Sequence, residues 1–204
     1  MRINFIADMF LEHILGGGEL NNHELINLLR EKGNKVTTTL SHLAGDNWIK
    51  SNDNFIISNF INLSESCKDL LLGKKYIIYE HDHKYIRSRN PGLYKDFIAP
   101  KEELVNIDFY KGATAVLCQS EFHKNVIHMN TGLDNLINLS GNLWSIDSLE
   151  YMRKISNTIK TEKHCILDSH IEHKNTSDAI RYCNAKDYDY VLISDENYYS
   201  FLKS

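Results

Sequence analysis

Four short stretches of the chain hold residues that could do chemistry, and two of them directly follow an apolar run. Glu80-His81-Asp82-His83 follows Tyr76-Ile77-Ile78-Tyr79. Two carboxylates and two imidazoles offer hydrogen bonds to sugar or phosphate oxygens, or ligands for a metal. Successive side chains of an extended chain point to opposite faces, so only alternate members could share one ligand. His81 is therefore a candidate binding residue, with metal ligation and a structural role as the other readings. Gln119-Ser120-Glu121-Phe122-His123 follows a second apolar run. There Ser120 could cap a helix or touch a ligand. Gly16-Gly17-Gly18 precede Glu19 after the first run. Glycines ahead of a helix either make a plain turn or let a phosphate approach the helix amides, with Gly16 and Gly17 nearest it. Lys174 precedes a helical stretch near the end of the chain, and reads as a diphosphate contact or as a solvated lysine.

These motifs exclude some chemistries. The glycine cluster is not GxGxxG, and no Gly-Lys-Ser/Thr follows it. Ser41 and His42 close the second strand where a ribose-binding acid would stand, which disfavours a nicotinamide cofactor.

The elements that would position these residues alternate. Strands are predicted at 2–7, 36–40, 55–58, 76–79, 114–118 and 136–139. Helices are predicted at 19–32, from Ser64 to Gly73, from Pro100 to Tyr110, and from Ser120 to Met129. The first carries a Leu25, Leu28, Leu29 stripe and stops at Gly33. Strand then helix, repeated, is the grammar of a Rossmann-like, doubly wound and mainly parallel α/β sheet. Ligands of such sheets bind at the carboxyl ends of the strands, where His81 and Ser120 fall. A helix at 145–160 follows, then a strand at 164–168, a helix at 176–185 and a strand at 189–193. The expected division is 1–144, a linker helix at 145–160, and a short, incomplete α/β unit at 161–204 that ends in a tyrosine-rich tail. Its apolar strands predict an open sheet edge and weak self-association or a partner chain.

The bulk properties agree with a globular protein. The chain has 204 residues, 42% hydrophobic and 25% charged, with a formal net charge of -4. That charge leaves no basic footprint, so no nucleic-acid partner is expected. No apolar run approaches the roughly 20 residues of a membrane span. The start, with Arg2 and Asp8, does not read as a signal peptide, so a cytoplasmic location is expected. Cys67, Cys118, Cys165 and Cys183 form no CxxC pair and read as reduced buried thiols.

In order along the chain, these segments resemble the family-4-like retaining glycosyltransferases of the GT-B fold. Residues 2–33 are similar to that family's opening of strand, glycine loop with Glu, and helix ending at Lys-Gly. Tyr76 to His83 resembles its strand ending in a His-Asp pair. Ala113 to His123 resembles its Ser-Glu-Phe segment, and Lys174 resembles the lysine that opens its donor-side half. The resemblance implies a nucleotide-sugar donor, an acceptor of unknown identity, and no metal. It implies that Gly16 and Gly17 approach the donor diphosphate. It implies that His81 contacts the transferred sugar or stabilises charge near its anomeric carbon, and that Lys174 neutralises the leaving diphosphate. The sequence departs from the family in three places. No arginine precedes Lys174, Asn175 stands where glycine usually follows it, and no Glu-x7-Glu segment occurs where the donor sugar would be held. The expectation is a transferase inactive on its own. The alternative is a non-catalytic binding or partner protein derived from a transferase half.

Overall fold

The computed structural model describes residues 1–160 and 162–194. The tyrosine-rich tail noted in the sequence lies outside the described residues. The chain divides into two compact units. One comprises Met1–Ile14 and Gly18–Leu143; the other comprises Leu15–Gly17 and the chain from Trp144 onward.

The first unit is built on six parallel strands. They are β1 (Arg2–Ala7), β2 (Lys35–Leu40), β3 (Phe55–Ile57), β4 (Tyr76–Tyr79), β5 (Ala115–Cys118) and β6 (Leu136–Asn138). Their order across the sheet is β2-β1-β3-β4-β5-β6. Five helices join them: α1 (Gly17–Glu31), α2 (Asp46–Lys50), α3 (Glu65–Leu71), α4 (Ile107–Gly112) and α5 (Glu121–Thr131). This is a Rossmann-like, doubly wound α/β architecture. β1 is an interior strand, second from one edge.

Both faces of the sheet are covered, which is why its strands read as unbroken apolar runs. The pleat sends alternate side chains to opposite cores. Ile6, Phe55, Ile57, Tyr76, Ile78 and Val116 join Phe60, Phe109 and Tyr110 on one face. Ile3, Phe5, Ala7, Ile56 and Tyr79 join Phe10, Ile26 and Val36 on the other. Each such large apolar side chain contributes roughly 1.5–3 kcal/mol by leaving water.

Two helix starts follow their sequence signals, Ser64 and Ser120, which each accept a backbone N–H from three residues on, at 3.3 and 3.1 Å; Ser145 caps α6 in the same way at 3.1 Å. In α1, Leu25 and Leu29 of the stripe pack against the core beside the buried Leu20, Asn21, Asn22 and Ile26, while Leu28 is exposed. One expectation fails for a local reason. The predicted helix from Pro100 begins only at Ile107, because Asn106 is left-handed at φ 57°. Asn106 serves as a clasp instead. Its Nδ2 donates to the Lys84 carbonyl at 2.9 Å and its Oδ1 accepts from Lys68 Nζ at 3.0 Å.

The second unit holds α6 (Ile146–Ser156), the parallel pair β7 (His164–Asp168) and β8 (Tyr190–Ser194), and α7 (Thr176–Ala185). Ile166 and Cys183 are buried within it, and the His164 ring stacks on Tyr188 at 4.7 Å. All four cysteines are free; Cys165 is exposed and the other three are buried. Among the described residues no helix is long and apolar enough to cross a membrane.

Candidate functional site

The carboxyl ends of β4 and β5 bring His81 and the Gln119-Ser120 pair together. His81 Nδ1 lies 2.9 Å from Gln119 Nε2, and its Nε2 lies 2.9 Å from Asn22 Oδ1. An amide nitrogen only donates and an amide oxygen only accepts. The ring therefore carries its single proton on Nε2. Burial lowers the pKa of His81 to about 3, helped by the positive charge of Lys84. His81 is thus a neutral, oriented dipole at physiological pH. Tyr79 packs against it edge to face at 4.4 Å.

Helix α1 supplies the other wall. A Cβ built on Gly18 would lie 3.6 Å from both Cγ and Cδ2 of His81, so the third glycine of the cluster is the one that packs on the imidazole. Gly16 and Gly17 group with the second unit, Gly17 as the first residue of α1. Asn22 is fully buried, and its Nδ2 has no hydrogen-bond partner among the described residues; the same holds for Ser58 Oγ, just past β3. Asp8, just past β1, accepts from Ser41 Oγ and from the amides of Ile61 and Asn62 at 2.9 and 3.0 Å. One carboxylate thereby ties three strand-end loops together.

The loop after β4 is held by charge. Glu80 and Lys84 are both fully buried and 3.0 Å apart. Lys84 also reaches Asp82 at 2.5 Å, and Arg89 reaches the other Asp82 oxygen at 3.2 Å. Burial pushes the Glu80 carboxyl up to about 7, against the pull of Lys84. Lys84, the Asp82 amide and the Tyr110 hydroxyl all donate to it, which favours its ionised form. Burial works against the Asp82 carboxylate too, but Lys84 and Arg89 more than offset it and hold its pKa low. His83 meets the His123 ring at 4.7 Å and bonds the Tyr85 hydroxyl at 2.9 Å. Burial lowers the pKa of His83 to about 4 and also lowers that of His123.

Ser120 Oγ is used as the cap of α5, accepting from the His123 amide at 3.1 Å. Lys174 is exposed in a single helical turn before α7. Asn175, which replaces the expected glycine, takes up the left-handed conformation at φ 59° that favours glycine. Among the described residues no group of three or more His, Cys, Asp or Glu is arranged to hold a metal ion.

No protein-family profile and no curated protein matches the sequence. Solved structures do match. One is an alpha-glucosyltransferase in complex with UDP and a 13-mer DNA containing a central A:G mismatch, with a TM-score of 0.56 and 11% identity over 96% of this chain. Another is an alpha-glucosyltransferase in complex with UDP and a 13-mer DNA containing a HMU base, with a TM-score of 0.54 and 14% identity over 90% of this chain. The likeness shows the fold. This chain spans 57% and 53% of those two structures, little more than half of each.

Several residues of the site escaped the sequence reading. Gly18 and Asn22 stand four apart and so share a face of α1, a signal that was available. Gln119 stands beside Ser120, whose hydroxyl carries the stronger local signal as a helix cap. Lys84 directly follows the His-Asp-His run, but nothing local marks it as buried. Tyr110 comes from a helix thirty residues beyond Glu80 and has no sequence signal.

Proposed function

We propose that this chain is the acceptor-side half, with the opening of the donor-side half, of a GT-B sugar transferase akin to the family-4-like retaining enzymes. The proposed division is 1–144, a linker at 145–160, and a donor-side unit at 161–204. The reaction breaks the bond from a sugar's anomeric carbon to a nucleoside diphosphate as a bond to an acceptor hydroxyl forms. The observation that carries this reading is the neutral His81, locked between Asn22 and Gln119 at the carboxyl end of β4.

In this scheme a donor hydroxyl displaces the Asn22 carbonyl and receives the Nε2–H of His81. The freed Asn22 amide, whose Nδ2 has no hydrogen-bond partner among the described residues, then offers a further donor. Gly16 and Gly17 approach the diphosphate, and Lys174 neutralises it as it leaves. The Gln119-Ser120 turn lines the same edge. The structural relatives carry UDP, which makes a uridine diphosphate sugar the first donor to test. Those relatives also hold DNA, yet a formal net charge of -4 favours an acceptor other than nucleic acid here.

The test is calorimetric titration of the chain with UDP-glucose, UDP-galactose and GDP-mannose, alongside an assay of transfer and hydrolysis. Binding of one nucleotide sugar that weakens in His81→Ala, with little turnover, supports the reading. Absence of binding to all of them would overturn it and favour a non-catalytic partner protein. Robust turnover would show a donor site other than the one proposed.

A further inference from the structure

The segment between β4 and α4 holds apolar side chains that core packing does not explain. Phe97 is 41% exposed and Phe122, in the first turn of α5, is 63% exposed. Their rings meet edge to face at 5.3 Å and 89°. Leu93 and Ile98 flank them and are exposed as well.

The backbone under Phe97 is strained. Asp96 and Phe97 sit consecutively at φ 55° and 63°, a region an aspartate tolerates and a phenylalanine rarely enters. The chain is held there by Asn130 of α5. Its Nδ2 donates to the Phe97 carbonyl, and its Oδ1 accepts from the Ala99 amide, both at 2.8 Å. Strain that holds an aromatic ring in solvent gains nothing for the core, and such strain collects at binding sites. The place fits too. Phe122, in the first turn of α5, follows by three residues Gln119, whose amide orients His81, and it brings the Phe97 ring to that side.

The charges of the patch select its partner. Arg89 is paired with Asp82, and Lys124 with Glu121. Of the remaining ionic groups of 87–103, Arg87, Lys95 and Lys101 balance Asp96, Glu102 and Glu103. Such a surface has no net field to attract a polyphosphate backbone. Exposed aromatic rings instead offer their electron-rich faces to polarised C–H bonds, which line one side of a pyranose.

We infer that Phe97 and Phe122 form an aromatic platform for the ring of a neutral sugar, the acceptor of the proposed transfer. This rests on the transfer reading and names the acceptor class.

The experiment is saturation-transfer NMR on the whole chain with maltose and cellobiose as probes. Aromatic protons should pass saturation to the sugar C–H protons. Binding should weaken about tenfold in Phe122→Ala and in Phe97→Gly, and persist in Phe122→Trp. Glycine accepts the left-handed backbone, so Phe97→Gly removes the ring without disturbing the loop. No saturation from either sugar, or equal binding by the variants, would overturn the platform. So would preferential binding of a thymidine oligonucleotide to the pair. A parallel UDP-glucose titration, followed at His81 and Gln119, separates the two ideas. A response there without sugar at the ring pair sinks the platform and leaves the transfer reading. Sugar at the pair without any nucleotide-sugar response keeps the platform and sinks the transfer reading.

Discussion

Gln119 donates from its side-chain amide to Nδ1 of His81 across 2.9 Å, and this one bond decides where the imidazole keeps its proton. The proton on Nε2 is then directed at Asn22. Replacing Gln119 by Glu puts an acceptor where a donor stood and adds a negative charge. The ring must then carry a proton on Nδ1, and His81 should titrate well above its present pKa of about 3. Histidine-selective NMR titration reads this directly. A His81 resonance that still fails to titrate above pH 5 in Gln119→Glu would show that the amide does not set the tautomer.

The buried pair of Glu80 and Lys84 predicts an asymmetric mutational response. Lys84→Met leaves a carboxylate fully buried with the Tyr110 hydroxyl and one amide as its remaining donors. Breaking such a pair from one side costs about 3–5 kcal/mol. Glu80→Gln combined with Lys84→Met should recover much of that loss, since no unpaired charge remains at Glu80. Urea denaturation of the two single variants and the double variant completes the cycle. Additive losses would mean that the pair is not coupled.

The outline of the fold was legible because its signals are local. Apolar runs mark the strands, and Ser64 and Ser120 mark helix starts by their own hydroxyls. The site was only half legible, because its residues act through tertiary partners. In α1 the leucines mark the helix, and Leu25 and Leu29 its packed side, but nothing in the stripe shows that Asn21 and Asn22 turn inward as well. Asn106 breaks a predicted helix in order to hold Lys84 and Lys68, which sequence periodicity cannot foresee. The packing of Gly18 against His81 likewise depends on a tertiary partner that the glycine cluster alone does not reveal.

Acid should destabilise the first unit. His81, His83 and His123 all have pKa values below the ordinary 6.5 because burial penalises their charged forms. Below pH 6.5 the unfolded chain binds protons that the folded chain refuses. Their stabilising contribution is complete above 6.5 and shrinks as pH falls toward 4. Glu80 works in the opposite sense. Its raised pKa stabilises the fold fully below 4.5, and that contribution fades as pH rises through about 7. Glu19, whose pKa burial also raises, acts with Glu80, so three groups oppose two and unfolding free energy should fall between pH 6.5 and 4. Replacing His83 by Gln should flatten that slope by up to about 1.4 kcal/mol per pH unit, the weight of one proton. Denaturation midpoints across that window supply the measurement; an unchanged slope would remove His83 from the account.

The two-stranded sheet of the second unit predicts weak self-association. β7 and β8 pair in register from His164 with Tyr190 to Asp168 with Ser194. Among the described residues no further strand pairs with either, so the outer edges of Cys165–Leu167 and Val191–Ile193 stand open. Val191 and Leu192 on the last strand are exposed, and so is Tyr182 on α7. Open apolar edges template pairing with another chain unless a charge or proline blocks them, and neither occurs between Val191 and Ile193. The pairing must be weak, because two short strands bury little area. Light scattering should therefore show a mass that climbs with protein concentration rather than a fixed dimer. Leu192→Lys places a charge on the edge and should return the chain to monomer without altering unit one. A wild-type chain that stays monomeric at high concentration would show that this sheet closes its own edges.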